Sequence, residues 1–387
     1  METNSLNRRT FLTRGAKSIT AVGLILPLAN KTKQLAAFIP GEKEKRNRTV
    51  KYRILGKTGL KVSIVGYGAM RTRDPAVIHR ALDYGINYID TAHCYMDGYN
   101  EIVVGKVLKT RRKDTFIATK VHINKVPAMM ASLEASLKSL QTDYVDIIQL
   151  HNLSEVNQIK NENAMEALQK MKKEGKARFI GFTTHRNQTE LLKTAIQMDF
   201  YDMILVAYNF KSSEELSTAI QEAEKTGIGI VAMKTQAGGY KKHEMRNLSP
   251  HQAALKWVLQ NPGVATTIPS MVTYSQLKEN VRVMNSKMGW HDRKTLHRYG
   301  KAIDKTLCRM CDECKYLCPQ GVDILDVNRS LMYFEGYNDP ELAFETYMKI
   351  PFTKKPDVCK NCNNCVVKCK FGLNIRQKMI QALSIFS

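Results

Sequence analysis

Proton-active side chains recur where short apolar runs end. Asp90 and Tyr95 follow the run 86–89, Lys120 closes 116–119, His151 closes 145–150, and a second phenol, Tyr208, closes 203–207. Each run reads as a buried strand, and one ionisable residue at the carboxyl end of successive strands is how a parallel barrel builds a site. A second chemistry belongs to thiols. Eight of the nine cysteines fall after position 307 in two strings of four, Cys308-x2-Cys311-x2-Cys314-x3-Cys318 and Cys359-x2-Cys362-x2-Cys365-x3-Cys369. Spacing this short lets three thiolates of one tight loop take three corners of a metal cluster, so the strings predict a metal framework rather than disulfides. Cys94 has no basic partner of its own and reads as packing.

The elements that must position these groups alternate regularly. Residues 52–55 and 60–63, around the glycine-containing turn 56–59, predict a β-hairpin. Strand signals then fall near Val65, Tyr88, Phe116, Val145, Phe179, Ile204, Ile230 and Ala265. Helical spacing lies between them at 75–84, 100–109, 128–140, 164–174, 189–198, 214–225, 250–259 and 274–284. Eight strands alternating with eight helices over roughly 235 residues is the α/β rhythm of a (β/α)8 TIM barrel. An open doubly wound sheet shares the rhythm but lacks a reactive residue at nearly every strand end. The expected plan is a leader over 1–37, a linker over 38–50, the barrel over 51–290, a polar connection over 291–307, and a small, mainly α-helical unit over 308–387. Within that last unit, 324–334 and 341–348 carry helical spacing between the cysteine strings.

With 387 residues, 43% of them hydrophobic, the chain can bury a sizeable core and exceeds one average domain. Its net charge of +23 is spread over all regions rather than gathered on one motif. No interleaved aromatic and basic pattern of the kind that reads bases is present, which speaks against nucleic acid as a partner. At the start, Asn7-Arg8-Arg9-Thr10-Phe11-Leu12, an apolar run over 19–29, and then Lys31 and Lys33 are similar to a twin-arginine export signal. A disordered basic arm is the alternative. The run is short for a transmembrane helix, so no integral membrane segment is expected after signal removal. Export in the folded state suits a protein that acquires metal clusters inside the cell, and predicts a periplasmic or extracytoplasmic location.

The strand-end motifs resemble those of the aldo-keto reductases. The match runs through residues 52–63, Asp90-Thr91-Ala92 with Tyr95, Asn100-Glu101, Thr119-Lys120, Gln149-Leu150-His151, residues 175–181 and Glu279-Asn280. The resemblance implies an oxidoreductase acting on a small carbonyl or alcohol with a nicotinamide. Reducing a carbonyl by hydride requires a proton donor for the alkoxide, and the resemblance gives Tyr95 that role. Lys120 is expected to lower the phenol from its reference pKa of about 10, Asp90 to hold Lys120, and His151 to orient the carbonyl oxygen. Run in reverse, the same groups oxidise an alcohol.

In the cofactor shell the resemblance puts Tyr208 on the nicotinamide ring. Where the family carries a Ser-Asn pair and a Gln, this chain has Thr183-Thr184 and Leu205. Where phosphate-preferring members carry Lys and Arg, it has Ser270 and Gln276, which favours NAD(H) over NADP(H). Lys234 and Gly238 are expected at the pyrophosphate, or else in an ordinary surface turn, and Glu279 and Asn280 complete the shell.

The cysteine strings are similar to the bacterial ferredoxin signature for 4Fe-4S ligation, with Pro319 after the first and Lys370 after the second. The signature implies two clusters with exchanged fourth ligands: Cys308, Cys311 and Cys314 with Cys369, and Cys359, Cys362 and Cys365 with Cys318. Zinc is the alternative, although it usually takes two separated Cys pairs per ion. A cluster pair passes single electrons and a nicotinamide passes two as hydride. Together they predict a carbonyl or alcohol reaction coupled to a one-electron redox carrier. The other function open to this sequence is an electron-transfer protein whose barrel serves only for docking or redox sensing.

Overall fold

The computed structural model describes residues 50–238, 249–304, 306–311, 313–314, 316–362 and 364–386. The expected leader, the linker up to residue 49, and residues 239–248 of the loop after the seventh barrel strand lie outside them.

Two short strands, β1 (Tyr52–Ile54) and β2 (Lys61–Ser63), pair antiparallel. Eight parallel strands follow in sequence order: β3 (Tyr67–Gly68), β4 (Tyr88–Asp90), β5 (Phe116–Val121), β6 (Val145–Leu153), β7 (Ala177–Thr184), β8 (Met203–Ala207), β9 (Gly229–Met233) and β10 (Val264–Thr267). Parallel bridges from Val65 to Thr267 and from Gly68 to Ser270 close the sheet into a barrel. Helices α1 (Pro75–Asp83), α2 (Tyr99–Arg111), α3 (Val126–Leu140), α4 (Glu162–Lys173), α5 (Gln188–Met198), α6 (Glu214–Lys225), α7 (Pro250–Val258) and α8 (Tyr274–Val281) surround it.

Period two along each strand decides what faces the axis. Tyr88, Ala118, Ile147, Phe179, Met203, Leu205, Val231 and Ala265 pack together inside the barrel. Two residues beyond the first three stand Asp90, Lys120 and Gln149, and His151 follows Gln149 on the same face. The alternate positions, among them Ile89, Ile117, Ile148, Phe182, Ile204 and Val206, pack outward with the helices. The hairpin plugs the amino end of the barrel with Leu55, Leu60 and Val62. Its turn requires glycine at Gly56, which has φ 48°, because an added Cβ would strike the backbone at Gly227, Ile228 and Gly229.

Beyond the barrel the structure departs from the expected polar connection. Residues Trp290–Ile303 form a helix, α9. Its charged face obscures an apolar stripe of Leu296, Tyr299 and Ile303, which packs with Ala237, Ala253 and Ala254. The Asp292 carboxylate accepts from the Gly289 N–H at 2.8 Å and caps the start. Helix α10 (Ile324–Leu331), a π-helical turn Met332–Gly336, helix α11 (Pro340–Met348) and helix α12 (Ile375–Phe386) follow. They share a core containing Val327, Leu331, Tyr347, Met379 and Phe386, and Cys308, Cys314, Cys318, Cys359 and Cys369 pack against it. Arg71 pairs with Asp339 at 2.6 Å, Arg73 with Glu341 at 2.6 Å, and Arg186 with Asp326 at 2.8 Å. The three arginines lie just past the carboxyl ends of β3 and β7, so the C-terminal segment roofs the mouth of the barrel. Among the described residues no helix is long and apolar enough to cross a membrane.

Candidate active site

Asp90 and Lys120 reach the axis from neighbouring strands and meet there. Lys120 Nζ donates to Asp90 Oδ1 at 2.5 Å and to the Thr91 carbonyl at 2.5 Å, while Gln149 Nε2 donates to Asp90 Oδ2 at 3.0 Å. The Lys120 and Asp90 side chains are only 1% and 3% exposed, so each relies on the other and on these hydrogen bonds to offset the cost of its burial. Tyr95 begins a one-turn 3-10 segment in which Met96 and Asp97 take φ of 52° and 51°, backbone strain of a kind that gathers at functional sites. The motif pair Asn100-Glu101 braces this loop. Asn100 Nδ2 donates to the Ala69 carbonyl at 2.7 Å, and Glu101 accepts from the Thr119 hydroxyl at 2.6 Å.

Lys120 Nζ lies 4.8 Å from the centroid of the Tyr95 ring, and the His151 ring meets that ring edge-on at 5.8 Å. Burial pushes the Tyr95 phenol well above its ordinary range, and Asp90, Cys94 and Tyr333 push in the same direction. The net shift is thus upward where a lowering by Lys120 was expected, and the Lys120 ammonium spends its hydrogen bonds on Asp90 and Thr91. His151 is held well below the ordinary imidazole range by burial, reinforced by Lys120, His122, Arg329 and Lys349, and is neutral. Cys94, expected only to pack, stands with Sγ 3.3 Å from His151 Nδ1, and burial keeps its thiol protonated. The donor atoms of Cys94, His122 and His151 lie within 4.8 Å of one another.

Asp90, Tyr95 and His151 line a cavity of about 730 Å³. Of the expected cofactor shell, Lys234, Ser270, Gln276, Glu279 and Asn280 line it too. Asn280 accepts from Gln236 Nε2 at 3.1 Å, and the Gln276 side chain accepts from the Val272 N–H at 2.8 Å. The other shell residues stand elsewhere. Tyr208 is one residue out of phase with the barrel interior: Ala207 takes the inward position, and Tyr208 turns outward, where it hydrogen-bonds Ser217 and Asn261 and packs on Trp257. It is 1% exposed and cannot stack on a ligand in the cavity. The Thr183 hydroxyl accepts from the Asn152 N–H at 2.7 Å, and the Thr184 hydroxyl donates to the Arg186 carbonyl at 2.7 Å, so both hold loops. Gly238, at φ 83°, packs against Leu307 and Met332 beside a smaller recess that Cys308 and Cys311 also line.

The roof adds groups that sequence patterns did not single out. Arg329, Tyr333, Tyr337 and Lys349 face the same cavity, as does His185 from the loop after β7. Arg329 Nη1 pairs with Asp326 at 3.2 Å, while its Nε and Nη2 are buried without a hydrogen-bond partner among the described residues, as is His185 Nδ1. The thiols gather farther along the segment. Burial pushes Cys308 up to about 12, with Cys314, Cys311 and Cys369 adding to it. It pushes Cys359 up to about 11, with Cys318, Cys362 and Cys365 adding to it. Each neighbourhood draws three cysteines from one string and one from the other.

Comparison with known proteins gives a consistent picture. The profile described as "Aldo/keto reductase family" matches residues 66–247 and 240–296. The chain is 29% identical over 279 residues to L-galactose dehydrogenase of Arabidopsis thaliana, covering 60% of this chain and 87% of that one. It is 30% identical over 254 residues to methylglyoxal reductase DkgB of Escherichia coli O157:H7, covering 60% and 90%. Among solved structures, an aldo/keto reductase from Klebsiella pneumoniae in complex with NADP and acetate shares the fold, with a TM-score of 0.55 and 24% identity over 65% of this chain and 95% of that one.

Proposed function

The chain belongs to the aldo/keto reductase family of oxidoreductases, and from that premise we propose that it is an exported enzyme that interconverts a carbonyl and an alcohol by hydride transfer with a nicotinamide dinucleotide, coupled to one-electron transfer through two 4Fe-4S clusters. One observation carries this reading: the floor of the cavity is made of Asp90, Tyr95 and His151, and its roof belongs to the segment that bears the cysteines.

Tyr95, kept protonated by burial, gives its proton to the carbonyl oxygen as that oxygen becomes an alkoxide. His151, neutral, donates a hydrogen bond to the same oxygen and fixes its position. The Asp90–Lys120 pair sets the field beneath them. Lys234, Ser270, Gln276, Glu279 and Asn280 would hold the dinucleotide, whose ring supplies or accepts the hydride. Ser270 and Gln276 bring no cation to a 2'-phosphate, which supports NAD(H). The donor sets fit two clusters: Cys308, Cys311, Cys314 and Cys369 would hold one, and Cys359, Cys362, Cys365 and Cys318 the other, each supplying single-electron steps. The twin-arginine-like leader supports export. Because free nicotinamide is not expected to be maintained outside the cytoplasm, the roof's ion pairs support a cofactor that is held rather than exchanged.

The test is an anaerobic calorimetric titration of the cluster-loaded protein with NADH and with NADPH, alongside a denatured aliquot assayed for nicotinamide. Tight binding of either, or release of one already bound, sustains the hydride reaction. Neither binding nor release sinks it. The second reading, an electron-transfer protein with a docking or sensing barrel, is favoured by the outward Tyr208 and the engaged Thr183 and Thr184, and it would then stand.

A further inference from the structure

Three residues that ligate metals converge on the wall of the cavity from consecutive strands: Cys94 past β4, His122 past β5 and His151 near the end of β6. Cys94 Sγ stands 3.3 Å from His151 Nδ1, and the His122 and His151 rings lie 4.9 Å apart, centroid to centroid. One donor atom from each residue falls within 4.8 Å of the other two. The hydride reaction proposed above gives no role to Cys94 or His122. A thiol and two imidazoles brought together from separate strands, with a cavity on one side of them, make a donor set.

We propose that Cys94, His122 and His151 form a binding site for a thiophilic divalent metal ion of the zinc type, with one coordination position open to the cavity. The site is separate from the cysteine strings, and it stands or falls independently of the hydride reaction.

The donor types are those that zinc takes: a thiolate and two imidazoles, with a fourth position left for water or substrate. Tetrahedral coordination, with Zn–S of about 2.3 Å and Zn–N of about 2.0–2.1 Å, sets neighbouring donors roughly 3.4–3.6 Å apart. Cys94 and His151 already meet that spacing. The widest separation has to close by ~1 Å, and His122, which is exposed, is able to swing in. Burial and then Lys349 hold His122 below the ordinary imidazole range, and His151 is held there as well, so both rings offer a lone pair.

Cys94 releases its thiol proton to solvent when the ion binds. Burial resists that step, Lys120 and Lys349 favour it, and Glu101 opposes it. These two cations, and Arg329 facing His151, do not repel the ion unopposed: Lys120 pairs with Asp90, Lys349 with Glu345 and Arg329 with Asp326. The buried Glu101, and Asp97 on the cavity wall, add negative charge. The ion would meet His151 at Nδ1, the nitrogen beside Cys94, which leaves the proton of the ring on Nε2.

The experiment dialyses the anaerobic, cluster-loaded protein against a slight excess of zinc sulfate and then against metal-free buffer. Zinc and iron are counted, and the zinc is examined by X-ray absorption at its K-edge. The expected result is one zinc per chain with iron unchanged, in a shell of one sulfur at about 2.3 Å and two imidazole nitrogens at about 2.0–2.1 Å. Cys94→Ala and His122→Gln should each weaken binding by at least the roughly 10–100-fold that loss of a ligand's supporting hydrogen bond costs, again with iron unchanged. His122→Gln alters an exposed side chain and serves if Cys94→Ala does not fold. No zinc retained, zinc held equally by both variants, or a shell of sulfur alone, which would put the zinc on the cysteine strings, overturns the proposal.

Discussion

Replacing Lys120 by Met would leave the Asp90 carboxylate inside the barrel with Gln149 Nε2, at 3.0 Å, as its remaining side-chain donor. The charge-assisted bond from Lys120 at 2.5 Å accounts for ~1.5–3 kcal/mol. The burial of an uncompensated charge adds to it, because both side chains are nearly inaccessible. The expected destabilisation is ~3–5 kcal/mol, against ~0–1 kcal/mol for an exposed pair. Removing both charges together, in Asp90→Leu with Lys120→Met, should cost less than either single change, since apolar replacements leave nothing unpaired. Anaerobic urea unfolding of the cluster-loaded protein, followed by tryptophan fluorescence, measures this. Trp257 packs on Tyr208 at 5.2 Å and Trp290 opens α9, so the signal reports on the barrel and the helix against it. Single variants costing under ~1 kcal/mol, or a double variant as costly as the two singles summed, would refute the reasoning.

Other outcomes follow from the same geometry. Tyr95→Phe should abolish substrate-dependent reduction of the clusters while leaving iron content intact, read from the visible absorbance; unchanged reduction would remove its role as proton donor. His151 and His185 are both held below the ordinary imidazole value, by burial first and then by neighbouring cations. The folded state therefore takes up fewer protons than the unfolded chain, so stability is complete above about pH 6.5 and falls as the pH drops below it. Unfolding midpoints at pH 7 and pH 5 check this, and a His185→Gln variant should show a shallower loss. Cys369→Ala should damage the cluster built on Cys308, Cys311 and Cys314, and Cys318→Ala the other, as resolved by iron analysis and electron paramagnetic resonance of the reduced proteins. Damage confined to the string that carries the substitution would contradict the exchanged ligand sets.

The barrel and its floor were readable because alternation fixes direction. Once Tyr88, Ala118 and Ile147 are taken as interior, Asp90, Lys120 and Gln149 must follow on the same face. The same logic misled at Tyr208. The run 203–207 is apolar on both faces, so its sequence does not say which parity points inward, and packing against Trp257 decides it. Helix α9 was hidden because its charged face, His291 to Lys294, outweighs a narrow apolar stripe. The place of Tyr333 in the cavity was invisible for a different reason. Its segment shows only helical spacing, and the contact with Lys234 joins distant parts of the chain, which no local pattern encodes.

The hairpin that plugs the barrel has a consequence for how such a protein can change. With Leu55, Leu60 and Val62 sealing the amino end, access to the cavity among the described residues is by the rim that the C-terminal segment shares. The groups at the strand ends are bound to the register of the sheet and cannot shift singly. Tyr337, Leu342 and Thr346 of the roof are under no such restraint. Substrate preference can therefore drift by substitution in a segment outside the barrel, with the proton-handling floor untouched, so related chains that share Asp90, Tyr95, Lys120 and His151 diverge in substrate through the roof alone.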